Sequence, residues 1–425
     1  MARILITNAN IFDGTGAAVF PGEVLIDGAR IGAVARGGEH IDPAGAEQID
    51  GSGATLIPGL TEAHGHLGFG SSVDRITTRR DLSPQERILF TAHAARVLLD
   101  FGFTSLYSAG SADAKSEVAL RDAIETGWMQ GCRIAACSFE RSASALVPSL
   151  AQAQTRYAGI STRAPDVEGC RSFVHEMADL GVDSVKFVVT GESGVVPGTS
   201  RVLQFYDEEL QAAGEAARER GVWLNGHVHS CESIKMALRH GFRVLYHCTW
   251  ADEEAMDLLE AQKDRIFIAP APGINWANCY EGEAFGITKE VAEKQEQFIT
   301  LEQVQKVMPE LHKRGLRILP GGDYGFPHNP IGRDGRDLEL FVKLFGFTPA
   351  EALSAATKWG GEIMGREELG LIKSGYIADL SLVEGDVLAD LRLIQARENF
   401  RLIMQDGRVH KYVTKEAEYR GRAAA

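Results

Sequence analysis

Strand-like and helix-like stretches alternate through residues 58–365, and β-rich segments flank them at both ends, a pattern that predicts an α/β protein. Eight strand–helix units in the middle give a (β/α)8 TIM barrel, the catalytic hydrolase domain at 58–365. The terminal segments, 1–57 and 366–425, most simply make one small β-sandwich that the barrel interrupts. A further observation marks a working face: six residues able to bind a metal each follow a short apolar run.

The first segment carries Ile4-Leu5-Ile6, Glu23-Val24-Leu25-Ile26 and Arg30-Ile31-Gly32-Ala33-Val34, with Asp27-Gly28 as a hairpin signal. The last repeats the style with Ile377-Ala378-Asp379-Leu380-Ser381-Leu382-Val383, then Phe400-Arg401-Leu402-Ile403-Met404 turning at Asp406-Gly407. Between them strands are expected near 60–66, 103–107, 132–137, 184–189, 222–227, 243–247, 265–269 and 316–321. Helices are expected at 85–101, 168–180, 208–220 and 231–240. Asp207, Glu208 and Glu209 put acids into a first turn, and Gly221 closes that helix. The tail from Glu418 is expected to fray.

At 425 residues the chain has room for one barrel of about 250 residues or more plus a smaller module. Hydrophobic residues at 44% and charged residues at 24% are those of a soluble globular enzyme. A net charge of −14 argues against nucleic acid or an acidic membrane surface as partner. The six cysteines form no C-x-x-C pair and read as reduced thiols. Nothing at the start resembles a signal peptide and no run reaches a membrane span, so the expected location is cytoplasmic.

His64 and His66 stand two apart at a strand end and therefore point to one face. Lys186 follows Val185, His227 follows Gly226, His247 follows Tyr246, and Asp323 follows Gly321-Gly322. A lysine among apolar residues has more of its neutral amine, which adds carbon dioxide to give a carbamate. Such a carboxylate-like group can bridge two cations about 3.5–4 Å apart. The pattern then reads as one metal at His64, His66 and Asp323 and a second at His227 and His247, with the carbamate of Lys186 and a hydroxide spanning both. The expected cofactors are two divalent metal ions, zinc first, and carbon dioxide as the lysine carbamate. Cys248, beside His247, is expected to alternate away.

With these residues the chain resembles the amidohydrolase superfamily, in the two-metal branch with a carbamylated lysine on the fourth strand. Its imidazolonepropionase-like and prolidase-like members are the most similar. The resemblance rests on Ile57-Pro58-Gly59-Leu60-Thr61-Glu62-Ala63-His64-Gly65-His66, Val185-Lys186-Phe187-Val188-Val189-Thr190-Gly191 and Gly226-His227-Val228-His229. Ala352-Leu353-Ser354-Ala355-Ala356-Thr357 and Gly375-Tyr376-Ile377-Ala378-Asp379-Leu380 extend it to the tail. Glu62 stands where this family usually has Asp, Cys137 to Ser142 where many relatives have Gly-Gly-His, and Tyr324 follows Asp323 where many have Ala. None of these departures removes a ligand. The resemblance implies a homo-oligomer.

The expected reaction is hydrolysis of a C–N bond in a small molecule, a dipeptide or N-acyl amino acid first. A hydroxide attacks the carbonyl, and Asp323 acts as general base and acid. Carbamates, ureas or anilides are second, and a deaminase third, disfavoured by Lys186. A relative without catalysis, serving assembly or binding, would lack ligands, and none is missing. Around this centre His229 is expected to bind substrate or the oxyanion, and Tyr206 to donate to a carbonyl. Arg79 and Arg80 are candidates for a carboxylate. Tyr324, Phe326, His328, Asn275 and Trp276 are expected to shape the pocket, and Val195 to Arg201 to act as a lid.

Overall fold

Both ends of the chain contribute strands to one sheet. The computed structural model describes residues 3–77, 82–142 and 166–413. Its strands run β1 (Arg3–Ile11), β2 (Phe20–Asp27), β3 (Arg30–Arg36), β4 (Ala46–Asp50), β5 (Ala54–Pro58), β6 (Leu60–Gly65), β7 (Phe103–Ser108) and β8 (Arg133–Ala135). They continue with β9 (Ser184–Val188), β10 (Trp223–Ser230), β11 (Val244–Trp250), β12 (Phe267–Ala269), β13 (Leu380–Glu384), β14 (Phe400–Gln405) and β15 (Arg408–Tyr412). The terminal strands order as β15-β14-β13-β5-β1-β2-β3, with β4 parallel to β1. Ile4, Ile6, Val24, Ile26, Leu56, Leu380, Leu382, Leu402 and Met404 give this sheet a core of its own. Such a layer fits the expected β-sandwich segment, built as one eight-stranded sheet.

Two hairpin signals are met locally. Asp27 pairs with Arg30 across Gly28, whose φ is 63°. Gln405 pairs with Arg408 across Asp406 and Gly407, at φ 50° and 70°, the two positive values a tight primed turn requires.

The middle of the chain holds two parallel sheets, β6-β7-β8 and β9-β10-β11-β12. Helices lie between the strands, and their starts are legible. Ser83 caps Pro84–Asp100 in a capping box with Glu86, and Pro84 is preset for the first turn. Helix Asp207–Arg220 opens on three acids and ends at left-handed Gly221. Val167–Asp179 and Cys231–Arg239 match the other two expected helices within a residue. No described helix is long and apolar enough to cross a membrane.

One expected strand differs. Residues 316–321 make a single parallel bridge, Ile318 to Ile268, instead of a ladder. Pro320 has no N–H to donate and Gly321 and Gly322 have no side chain to pack, so pairing stops there. Backbone bonds still tie this segment on both sides, Leu319 N to Ile268 O at 2.8 Å and Ala63 N to Pro320 O at 3.2 Å. On the opposite side of the two sheets a parallel bridge joins Cys137 to Ser184. Tyr107, Tyr246, Phe267 and Leu319 share a buried cluster with Ala63, so residues of both sheets pack on one another.

The terminal sheet is fastened to the parallel strands by a buried ion pair. Arg133 on β8 donates to Asp379 at 2.7 Å and to Asp406 at 2.8 Å. The side chains of Arg133 and Asp379 are 5% and 1% exposed. Gly102 is needed at the same junction. It sits at φ 77°, and a Cβ there would lie 2.3 Å from the Phe400 ring.

Replacing Arg133 by Met leaves the Asp379 carboxylate buried without its cation. The expected cost is about 3–5 kcal/mol of unfolding free energy, measured by denaturant titration. Arg392→Ala, at an exposed pair, is expected to stay within about 0.5 kcal/mol.

Candidate active site

Five strands or strand ends deliver polar side chains to one cavity of about 680 Å³. His64 lies on β6 and His66 one residue beyond it. Lys186 comes from β9, His227 and His229 from β10, His247 from β11, and Asp323 from the loop after 316–321. All seven line the cavity. The alternation expected of His64 and His66 holds, and that of His227 and His229 likewise.

The first group gathers at Asp323. His66 Nε2 is 3.0 Å and His64 Nε2 3.7 Å from Asp323 Oδ1. His66 Nδ1 lies 2.8 Å from the Gly110 carbonyl, which can only accept, so in the neutral ring Nδ1 carries the proton. Its Nε2 then turns a lone pair toward a carboxylate oxygen that itself has no hydrogen-bond partner among the described residues. Two facing lone pairs suit a cation that both can bind. Phe69 stacks on the His66 ring at 4.1 Å, and Tyr246 on His64 at 4.0 Å, which fixes both planes.

His227, His229 and His247 form the second group, with ring centroids 4.3–4.6 Å apart. One nitrogen from each falls within 4.8 Å of the others, and the same holds for His64, His247 and Asp323. His247 therefore belongs to both groups. Among the described residues neither of its nitrogens has a hydrogen-bond partner, and His64 Nδ1 has none. Burial pushes His64, His227 and His247 well below the usual imidazole range, aided by Lys186 and the neighbouring rings. Neutral and buried, these imidazoles are the donor set a divalent cation requires.

His247 and Cys248 have φ of 72° and 49°, so the strand twists out of regular alternation where it enters the site. Cys248 belongs to neither metal-binding group, as expected, and burial pushes its thiol up. Asp323 is also left-handed, at 60°. A network holds it there. Asn329 Nδ2 donates to the carbonyls of Gly322 and Asp323, Asp337 accepts from Gly321 N and Tyr324 OH, and Tyr324 exchanges backbone bonds with His64 and His66.

Lys186 is 1% exposed, with Nζ 2.8 Å from the Ala109 carbonyl and 3.4 Å from Glu140. Glu140 lies in the segment that replaces Gly-Gly-His, and the sequence reading did not select it. Glu192 was missed as well. Its carboxylate is 3.3 Å from His229 and 3.5 Å from His227. Burial opposes its charge, but the facing His229 and His227 imidazoles, the first through a hydrogen bond, and the Gly194 N–H outweigh that and lower it to about 2. A lone glutamate in a loop carries no periodic signal, so only proximity reveals either residue. Glu62 is fully buried and accepts from the His64 N–H at 2.7 Å. Burial, with Asp334, Asp337 and Asp323 nearby, raises it well above the carboxylate range.

Several expected neighbours lie elsewhere. Tyr206 caps helix Asp207–Arg220, its N–H on Glu209, and does not line the cavity. Tyr324 is turned into the interior toward Asp337, and Trp276 sits against Tyr280 and Lys343. Phe326, His328 and Asn275 do line the cavity, and burial brings His328 down to about 4. Arg79 and Arg80, with the tail from Glu418, lie outside the described residues. Of the expected lid, Val195 and Ser200 line the cavity. The adjoining backbone is tied down by Gln295 to the Gly194 carbonyl at 2.9 Å and by Arg201 to Glu296 at 2.9 Å.

The model of the amidohydrolase family matches residues 55–415. An ochratoxinase of Aspergillus niger is 27% identical over 250 residues, 58% of this chain and 50% of its own. The match thus spans about half the length of that relative. Among solved structures, a Xaa-Pro dipeptidase superposes with a TM-score of 0.81 at 22% identity, covering 96% of this chain and all of that one. Phenylurea hydrolase B gives 0.74 at 20% identity, covering 98% of each chain.

Beneath the site Glu117 accepts from Cys137 N at 2.9 Å, while its second oxygen has no partner among the described residues. Burial pushes it up to about 7, against the opposing Cys137 N–H. From about pH 4.5 to 7 the folded chain keeps a proton that the unfolded chain releases, so stability falls as pH rises through that window. Glu117→Gln is expected to flatten this slope by up to about 3 kcal/mol, read by denaturant titration at pH 5 and pH 7.

Proposed function

The chain belongs to the amidohydrolase family, and on that premise we propose that it is a metal-dependent hydrolase of a C–N amide bond in a small molecule, a dipeptide or N-acyl amino acid first. The observation that carries this reading is the unpartnered donor set His64, His247 and Asp323 beside His227 and His229. In the same reading, residues 58–365 form the catalytic domain, with 1–57 and 366–425 as the other. The eight strand positions close into one (β/α)8 barrel, which the Cys137–Ser184 and Ile268–Ile318 bridges and the Ala63–Pro320 bond support. Six free cysteines suit a reducing, cytoplasmic setting.

His64, His66 and Asp323 would hold one divalent ion, zinc first, and His227 and His247 a second, with His229 as an added donor to the latter. Bound ions supply Lewis acidity and bring the pKa of water to about 7. Asp323 takes the proton of the attacking water as its oxygen bonds to the carbonyl carbon. It then hands that proton to the nitrogen as the C–N bond breaks, giving an acid and an amine. His66 is oriented by the Gly110 carbonyl, and Glu192 orients His227 and His229.

Lys186 would bridge the two positions as a carbamate. Its amine is 3.4 Å from Glu140, so turning it into an anion there places two negative groups side by side. Cations would offset that repulsion, which makes carbamylation and metal uptake one coupled event. Ureas, carbamates or anilides remain the second reading, favoured by the aromatic wall of Phe69, Phe285 and Phe326.

Elemental analysis is expected to find about two divalent ions per chain. Refolding or reloading in carbon-dioxide-free buffer should lower that number, and bicarbonate should restore it in the wild type but not in Lys186→Ala. His247→Ala removes a donor of the second ion and is expected to reduce metal content to about one ion per chain. Asp323→Asn is expected to lower kcat by about 100-fold or more on whichever amide, urea or anilide is cleaved, read by mass spectrometry of the products. A folded wild type that takes up no metal from zinc-containing buffer would sink the reading.

A further inference from the structure

One corner of the cavity is built to receive an oxygen acceptor. Asn275 is 4% exposed and lines the cavity, and its Nδ2 has no hydrogen-bond partner among the described residues. A buried amide donor left in this state is costly unless something else accepts from it. The residue belongs to the nine-residue helix Pro272–Tyr280, whose first turn meets the cavity at Ile274 and Asn275. That helix begins at Ala271, in a left-handed conformation at φ 58°, with no side-chain cap. Its first turn contains no acidic residue of its own, and Asp337 approaches it at Gly273. Glu281, at the far end, is tied up by Arg333 and Arg336. His328 lines the same cavity, and its Nε2 likewise has no partner among the described residues.

We propose that Asn275, held at the start of helix Pro272–Tyr280, and His328 form a subsite for the free carboxylate of the substrate. This rests on the C–N hydrolase reading above and adds to it which end of the substrate is recognised. One carboxylate oxygen accepts from Asn275 Nδ2 and the other from His328 in its Nε2–H tautomer. The acyl carbonyl then reaches back toward Asp323. Backbone placement favours this: Ile274 N donates to the Gly322 carbonyl at 2.8 Å, so the helix start is fixed directly against the residue before Asp323. An acceptor at Asn275 is thereby held at a set distance from the reacting group. A carboxylate gives both donors a charged acceptor oxygen, whereas a carboxamide in its place offers one neutral acceptor and sets its NH2 against the second donor.

The test compares N-benzoylglycine with N-benzoylglycinamide, which differ only in the carboxylate. Calorimetry on the zinc-loaded Asp323→Asn protein reads binding without turnover. The acid is expected to bind at least about tenfold more tightly than the amide. Adding Asn275→Asp, nearly the same size but anionic, should reverse the preference. In the active protein, Asn275→Ala should lower kcat/KM for the acid by about 10–100-fold and for the amide by no more than about threefold. Circular dichroism and metal content of each variant guard against loss of fold. Equal binding of acid and amide, no measurable binding of the acid, or an equal loss on both substrates in Asn275→Ala would overturn the subsite. If acid-selective binding is present but the wild type cleaves neither compound nor any other amide, the subsite stands and the hydrolase reading fails.

Discussion

The site depends on how the Asp323 loop is fastened to the His64–His66 strand. Tyr324 N donates to the His64 carbonyl at 3.2 Å, and His66 N donates to the Tyr324 carbonyl at 2.8 Å. Asp337 anchors the same loop from below through Gly321 N and the Tyr324 hydroxyl. These bonds set the 3.0 Å approach of Asp323 to His66 and hold a non-glycine residue at φ 60°. Left-handed backbone of this kind costs about 1–3 kcal/mol and persists only where its surroundings over-determine it. His247, Cys248 and Ala271 share that conformation around the same cavity. Strain is thus concentrated where side chains must be aimed away from regular strand alternation.

Electrostatics follow from the depth of the site. Taking His64, His227 and His247 out of water favours their neutral forms, which are the forms that can bind a cation. Acids beneath the site respond in the same direction. Burial raises Glu62, and brings Asp334 to about 7 and Asp337 to about 6, with each carboxylate disfavouring charge on the others. Glu192 is the exception, because imidazoles and a backbone N–H face it. Of these four carboxylates, Glu192 is held ionised while Glu62, Asp334 and Asp337 are pushed toward the neutral form. That division limits how much negative charge the interior must carry.

The cavity is also two-sided in character. Phe69, Phe285 and Phe326 supply apolar ring surface, and Phe69 and Phe326 meet edge to face at 5.6 Å. Asn275, Asn278, Gln295 and Gln297 bring amides to the lining, two of which are joined by the Asn278–Gln297 bond at 2.9 Å. A small molecule with a planar part and a polar end suits such a wall.

Much of this was legible in the chain. Residue spacing pointed to His64, His66, Lys186, His227, His247 and Asp323, and the first five stand on or next to strands, because strand periodicity and the alternation of strands with helices are local properties. Hairpins at Gly28 and Gly407 and the helix beginning at Asp207 were likewise local, fixed by φ and capping chemistry. Other features needed the folded chain. Glu140 and Glu192 gain meaning only from distances to Lys186, His227 and His229, and His229 proved to lie with the imidazoles instead of alone. Tyr206 was drawn off by helix capping, and Tyr324 by Asp337. The segment 316–321 looked like a strand but was interrupted by Pro320 and two glycines. Sequence determined which residues stand at the ends of which elements, since short-range backbone preferences suffice for that. Tertiary structure decided which of them face one another, since that depends on hydrogen bonds and burial between segments far apart in the chain.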